Sequence, residues 1–171
     1  MSQARIRPDY TADERTQLLG WLQMQRDIIA WKCEGLSDVD AYRPVLPASP
    51  LMTMAGLLAH LRWTEHCWFE VILLGRGAEL NPQFDQDGED LDMKVEGVPL
   101  SQLVADYRAQ CAASDEIIAA HSLDDTGRHS DYKASAASVR WILLHMIEET
   151  ARHAGHADAI RELADGQIGY Y

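Results

Sequence analysis

The strongest structural signal in the sequence is the stretch Trp141-Ile-Leu-Leu-His145-Met-Ile-Glu-Glu149-Thr-Ala-Arg-His153-Ala-Gly-His156. Read as a helix, it places His145, Glu149 and His153 four residues apart, on one stripe of successive turns. Two side chains at positions i and i+4 can close on a single metal ion. The spacing therefore predicts a long helix that carries metal-ligand chemistry along one stripe.

Apolar Trp141, Leu144 and Ile147 run close to this stripe, so we expect the stripe to face inward. A buried polar group without a partner costs ~1–3 kcal/mol, and an unpaired carboxylate costs more. A metal ion would satisfy the glutamate and the histidines together. The alternative is that they hydrogen-bond one another or lie on a solvated edge. We favour the metal site, because the glutamate is in register with two histidines and another helix upstream carries a histidine.

Four amphipathic segments predict an all-α fold, a four-helix bundle with helices over about 12–33, 50–74, 100–120 and 136–164. Thr11 and Glu14 have the spacing of a capping box, and Ser49-Pro50 is a helix-start signal. Gly35, Gly75 and Gly166 are expected stops. The connection over 75–98 is long, so we expect it to cross the end of the bundle or to shape the mouth of a site. Its acidic run, 85–92, lacks EF-hand spacing and is interpreted as a solvated loop.

Length and composition predict one soluble domain over residues 1–171. The net charge of −12 argues against a nucleic-acid surface, which needs a basic patch. No run approaches a membrane span, and the N-terminus lacks the apolar core of a signal peptide. Cys33, Cys67 and Cys111 are widely spaced and odd in number, as expected of buried thiols in a reducing compartment. We therefore expect a cytoplasmic protein.

His60, on the second predicted helix, completes a three-ligand set with Glu149 and His153. His/Glu/His is a donor set typical of zinc, or a similar divalent ion such as nickel, in a site that keeps a fourth position open. An open position lets a bound water or thiol lose its proton near neutral pH. The predicted fold would thus bring together the ligands of a metal ion that could activate a bound water or thiol.

The segments His60-Leu-Arg-Trp63-Thr-Glu65-His66-Cys-Trp68-Phe69 and Leu144 to Asp158 resemble the DinB-like superfamily of helical metalloproteins. That family usually has one histidine on the second helix and H-x-x-x-H on the last. Here Glu149 stands at the first position of the pair, giving E-x-x-x-H. This substitution is similar to the mycothiol-dependent maleylpyruvate isomerase branch, where a His/Glu/His set holds zinc.

The resemblance implies a four-helix bundle with a divalent metal at one end, held by His60, Glu149 and His153. The superfamily includes thiol S-transferases and isomerases that use mycothiol or bacillithiol, and members described only as metal-dependent hydrolases. The leading hypothesis is an enzyme in which a low-molecular-weight thiol attacks an electrophilic small molecule. The alternatives are metal-dependent hydrolysis and a non-catalytic, stress-related metal-binding bundle. An apolar face left on the first or third predicted helix could form a homodimer.

Several other residues are candidates for roles near the site, each with a structural alternative. The candidate proton carriers are Glu65, His145 and Glu148. The candidate binding residues for a thiol cofactor are Arg62, Arg140 and Arg152. Solvated helix faces and surface ion pairs explain these charged residues equally well. His145 could be a ligand, but we favour an outer partner of the site or a packed side chain. His156 could be an outer partner or a histidine at the end of the helix. We expect Cys67 to be a packed thiol, and Trp63, Trp68 and Trp141 to belong to the core.

Overall fold

The computed structural model describes residues 5–76, 91–129 and 133–169, and within these ranges the chain is helical with no strand. The α-helices are α1 (Glu14–Lys32), α2 (Asp38–Ala41), α3 (Met54–His66), α4 (Leu100–Ala119) and α5 (Val139–Asp165). A π-helical segment, Cys67–Leu73, continues α3, and short 3-10 turns lie at Leu91–Met93 and Lys133–Ala136. The predicted all-α class is confirmed. No helix in the described ranges is long and apolar enough to cross a membrane.

The first and last predicted helices are confirmed as α1 and α5, with one correction to a cap. The α1 N-cap is Asp13, whose carboxylate accepts a hydrogen bond from the Thr16 amide at 3.0 Å. Thr11 instead bonds to Asp9, so the predicted capping box is wrong. At the far end of the chain, Gly166 stops α5 in the left-handed conformation with φ of 75°, as expected.

The second predicted helix starts four residues later than expected and changes its geometry before it ends. Thr53 caps α3 by accepting a hydrogen bond from the Gly56 amide at 3.0 Å, so the predicted start at Ser49-Pro50 is wrong. The end is confirmed, since Gly75 has a left-handed φ of 71° just past the π-helical segment. Most of the predicted long crossover, residues 77–90, lies outside the described residues. The loop before α3 also contains α2, which the periodicity did not reveal.

The long helices pack around two apolar clusters. Helix α5 lies along α1 and α3, and α3 also packs on α4. One cluster is built near the C-terminal half of α1 and the N-terminal half of α4, and it includes Ile29, Leu57, Leu61, Tyr107, Ala157 and Ile160. The other lies towards the opposite end of the bundle and includes Leu22, Phe69, Leu73, Ile118, Ile142 and Met146.

A buried ion pair joins α1 to α3. Nε and Nη2 of Arg26 each donate to one Glu65 carboxylate oxygen at 2.7 Å, and the two side chains are only 4% and 1% exposed. Arg26 Nη1 also reaches Asp115 of α4 at 2.7 Å. One guanidinium therefore connects three helices, with the planar two-point geometry that arginine and carboxylate favour.

The expected inward packing of two α5 residues is wrong. Trp141 is 48% exposed and Leu144 is 53% exposed, whereas their neighbours Ile142 and Leu143 are fully buried. The buried face of α5 is therefore rotated away from Trp141 and Leu144. The stripe with His145 and Glu149 consequently lies at the edge of the interface with α3 and not at the centre of the core.

The Arg26–Glu65 pair predicts a large stability loss when only one partner is removed. Arg26→Met should lower the free energy of unfolding by about 3–5 kcal/mol, because it leaves a buried carboxylate without its counter-charge. Urea unfolding followed by circular dichroism would measure this change.

The double variant Arg26→Met/Glu65→Leu should recover most of that loss, because neither charge then remains buried. As a control, Glu148→Gln removes one partner of the exposed pair with Arg152 and should leave stability unchanged. Equal unfolding free energies for Arg26→Met and the parent would contradict a structural role for the pair.

Candidate metal centre

His60 of α3 and Glu149 and His153 of α5 come together where the two helices face each other. Their ligand atoms all lie within 4.8 Å of one another. Glu149 Oε1 is 2.9 Å from His60 Nε2 and 3.2 Å from His153 Nε2. The i, i+4 spacing on α5 puts Glu149 and His153 on adjacent turns of one face, as the sequence predicts. All three predicted ligands are thus in one cluster.

This donor set fits a divalent ion. Two ligands at ~2.1 Å from one tetrahedral ion are about 3.4 Å apart; here Glu149 lies 2.9 and 3.2 Å from the two histidine nitrogens, and all three ligand atoms lie within 4.8 Å of one another. Two imidazole nitrogens and one carboxylate oxygen suit zinc and similar ions. Within the described ranges, no fourth His, Cys, Asp or Glu joins the group. Three protein ligands are the number typical of a site that leaves a position for water or substrate.

The pKa values of the cluster follow from its hydrogen bonds. Contacts with His153 and His60 lower the pKa of Glu149 well below its usual range, so this carboxylate is ionised. Burial alone would lower the pKa of His60, but hydrogen bonds to Asp92 and Glu149 outweigh it and raise the pKa to about 9. The two carboxylates therefore favour a positive charge next to them. When no ion is bound, protonated His60 carries that charge.

Sequence reasoning missed Asp92. It belongs to the 3-10 turn Leu91–Met93, and its Oδ2 accepts a hydrogen bond from His60 Nδ1 at 2.7 Å. Its side chain is only 12% exposed, so the interpretation of this end of the acidic run as a solvated loop is wrong. The available signal was its position between apolar Leu91 and Met93, which is typical of a residue held against a core. The rest of that run lies outside the described residues.

The other two histidines of α5 lie next to the cluster without joining it. Nδ1 of His156 is 3.3 Å from Nδ1 of His153, which makes His156 an outer partner of that imidazole. His145 stacks on Trp141 with ring centroids 5.3 Å apart and meets the edge of Trp68 at 4.6 Å. The aromatic group formed by Trp68, Trp141 and His145 thus sits one turn before Glu149 along α5.

The structure separates the two candidate carboxylates on α3 and α5 from the cluster. Both oxygens of Glu65 accept hydrogen bonds from Arg26 in the core. Glu148 is 51% exposed and pairs with Arg152 on the solvated face of α5. Among contacts between described residues, His145 is the one candidate proton carrier with no ion-pair partner closer than 4.0 Å.

One of the three candidate arginines, Arg62, lines a cleft. Arg140 is bound to Glu14 and Asp124 near the start of α5, and Arg152 is exposed. The cleft has a volume of about 580 Å3 and lies between α3, the 3-10 turn and α4. Its lining includes Leu58, Arg62, Trp63, Asp92, Leu103 and Asp106. The three candidate ligands are not among the lining residues, but Asp92, which lines the cleft, accepts a hydrogen bond from His60 of the cluster.

Removing a ligand should abolish metal binding, whereas removing the neighbouring histidine should not. We expect the purified protein to carry near-stoichiometric divalent ion by mass spectrometry. Glu149→Ala and His153→Ala should both lose it, because two donors rarely hold such an ion in competition with water. His145→Ala is the matched control on the same stripe of α5 and should retain the ion.

The absence of metal from the parent, together with no gain in melting temperature on adding zinc, would contradict the metal site. It would leave the hydrogen-bonded cluster as the better account of these residues.

Comparison with known proteins places the chain in a family. A family model described as mycothiol-S-transferase matches residues 17–166, which includes all of α3, α4 and α5 and every residue of the cluster. No curated protein and no solved structure gives a significant match. The family model agrees with the DinB-like resemblance seen in the His60 and Glu149–His153 segments.

Proposed function

The chain belongs to the mycothiol S-transferase family, and from this premise we propose that it is a metal-dependent thiol S-transferase that joins a mycothiol-type thiol to an electrophilic small molecule. The observation that carries the proposal is the convergence of His60, Glu149 and His153 on one point. A divalent ion held there would lower the pKa of a thiol and raise the fraction of thiolate at neutral pH. Zinc is the ion that this donor set fits best.

The cysteines of the chain support an external thiol as the nucleophile. Burial raises the pKa of Cys33 and Cys111 to about 12, and that of Cys67 to about 11. All three thiols therefore stay protonated at neutral pH, and a protonated thiol is a poor nucleophile. None of them belongs to the cluster. The sulfur that attacks the substrate must then come from a cosubstrate.

The reaction needs a proton acceptor and a binding surface. The thiol gives up its proton, its sulfur forms a bond to the electrophilic carbon, and a leaving group departs with the electron pair of the broken bond. His145 is the candidate proton carrier, because Glu65 and Glu148 are held in ion pairs. Arg62 and Trp63, on the cleft beside the cluster, are the candidate binding residues for the thiol.

The predicted homodimer and cytoplasmic location stay predictions.

Thiol transfer should be measurable as a conjugate. Zinc-loaded protein, mycothiol and a panel of alkyl and aryl electrophiles should give a thioether detected by mass spectrometry. Glu149→Ala treated in the same way should form conjugate no faster than the uncatalysed reaction, because it lacks a ligand. No conjugate with mycothiol or with cysteine-based thiols, from a protein shown to hold zinc, would contradict the proposal.

The same assay run in water enriched in oxygen-18 separates transfer from hydrolysis. A transferase leaves the product unlabelled, whereas a hydrolase introduces oxygen from water. Labelled product without conjugate would favour the hydrolase reading of this site. Bound metal with neither product would favour the non-catalytic bundle.

His145→Gln should retain zinc and lower kcat by about 100-fold, the lower end of the range for a lost proton carrier. The glutamine keeps a polar side chain beside Trp68 and Trp141, so the local packing should survive. Steady-state kinetics with one electrophile would measure the change. A parent-like kcat would limit His145 to a packing role in the aromatic group.

A further inference from the structure

We propose that Asp92 is the positioning residue of the centre: it fixes the His60 ring so that Nε2, and not Nδ1, is presented to the ion. This inference rests on the metal site of the proposed function. It goes beyond that function by giving a role to a residue that lies outside the ligand set and 32 positions from His60 in the chain.

The geometry at His60 gives the two ring nitrogens different tasks. Asp92 Oδ2 lies 2.7 Å from Nδ1, and Glu149 Oε1 lies 2.9 Å from Nε2. A carboxylate only accepts hydrogen bonds, so when Nε2 binds an ion beside Glu149, the one proton of the neutral His60 ring is on Nδ1 and Asp92 accepts it. The lone pair is then on Nε2, which faces Glu149 and His153. Carboxylates that hold a ligating histidine in this way also raise its basicity.

The 3-10 turn that carries Asp92 is itself held against α3. Met93 is 8% exposed, and the 3-10 turn that contains it contacts α3. A Cβ added to Gly56 would come within 3.0 Å of the Met93 carbonyl oxygen and 2.3 Å of the Leu51 carbonyl oxygen. Gly56 is therefore required for this close approach of two backbone segments. Because Gly56 and His60 are four residues apart on α3, the turn at Met93 sets Asp92 beside His60.

The second histidine of the cluster has no such partner. Nδ1 of His153 faces His156 at 3.3 Å, and an imidazole is a weaker hydrogen-bond acceptor than a carboxylate. His153 is also more buried than His60, with 7% against 16% of the side chain exposed. Packing holds His153 in place, whereas His60 depends on a hydrogen bond. Loss of Asp92 should therefore weaken the centre more than loss of His156.

The test is zinc affinity, measured by competition with a chromophoric chelator. Asp92→Ala should weaken zinc binding by about 10- to 100-fold, the range found for outer partners of metal ligands. Asp92→Asn should fall between Asp92→Ala and the parent, because its amide oxygen still accepts from His60 Nδ1. His156→Ala should lose less than Asp92→Ala. Asp106→Ala removes another carboxylate of the same cleft, and it should bind zinc as the parent does.

Two further measurements separate positioning from general damage to the fold. Far-ultraviolet circular dichroism spectra of the metal-free variants should match that of the parent, and the visible spectrum of the cobalt-substituted Asp92→Asn protein should differ from that of the parent. If Asp92→Ala does not fold, Asp92→Asn provides both the affinity and the spectrum.

Parent-like zinc affinity in both Asp92 variants, or an equal loss in Asp106→Ala, would overturn the inference. A parent that takes up no zinc would overturn the metal site and this inference together. A parent that binds zinc tightly but forms no conjugate would count against the transferase alone, and the loss in Asp92→Ala would still support the role of Asp92.

Discussion

The bidentate pair between Arg26 and Glu65 fixes the rotation of α3, and the candidate centre depends on that rotation. Both side chains are almost fully buried, so turning Glu65 away from Arg26 would leave an unpaired charge in the core. Five residues along an α-helix turn the side-chain direction by about 140° beyond one full rotation. With Glu65 facing α1 and α4, His60 is directed to another side of α3, where α5 carries Glu149. The ion pair thus decides which helix His60 faces.

The polar side chains at the middle of the bundle separate two apolar clusters, and this arrangement limits how the helices can shift. Leu61 lies in one cluster and Phe69 in the other, with Glu65 one turn from each along the same helix. On α5, Met146 and Ala154 belong to different clusters, with buried Thr150 between them. Sliding a helix by one turn would place charges in an apolar cluster. The cost of burying them favours a single register, and the candidate ligands keep their positions.

The sequence predicts what depends on local spacing and misses what depends on contacts between distant segments. The helices and the Glu149–His153 pair follow from periodicity and the i, i+4 rule, which need only one segment at a time. Asp92 could not be placed, because its partner is 32 residues away and an acidic run normally faces solvent. The ion pair of Glu65, a candidate proton carrier, was missed for the same reason, since Arg26 is 39 residues away. Trp141 was expected in the core because hydrophobicity alone does not show which side of an apolar helix is left uncovered.

The hydrogen bonds of the cluster bear on the kind of ion that this donor set would hold. His60 lies between two carboxylates, which raise the pKa of its ring to about 9. A proton on the ring then gives both carboxylates a hydrogen-bond donor. An ion would replace that proton at Nε2 while Asp92 keeps its bond to Nδ1. The polar atoms thus have partners with or without an ion, and the Arg26–Glu65 pair joins α1, α3 and α4 independently of it. A structural zinc site usually has four protein ligands and contributes to folding outright. This cluster has three protein ligands, and a proton on His60 satisfies their hydrogen bonds when no ion is bound. Such a cluster suits a catalytic ion better than a structural one.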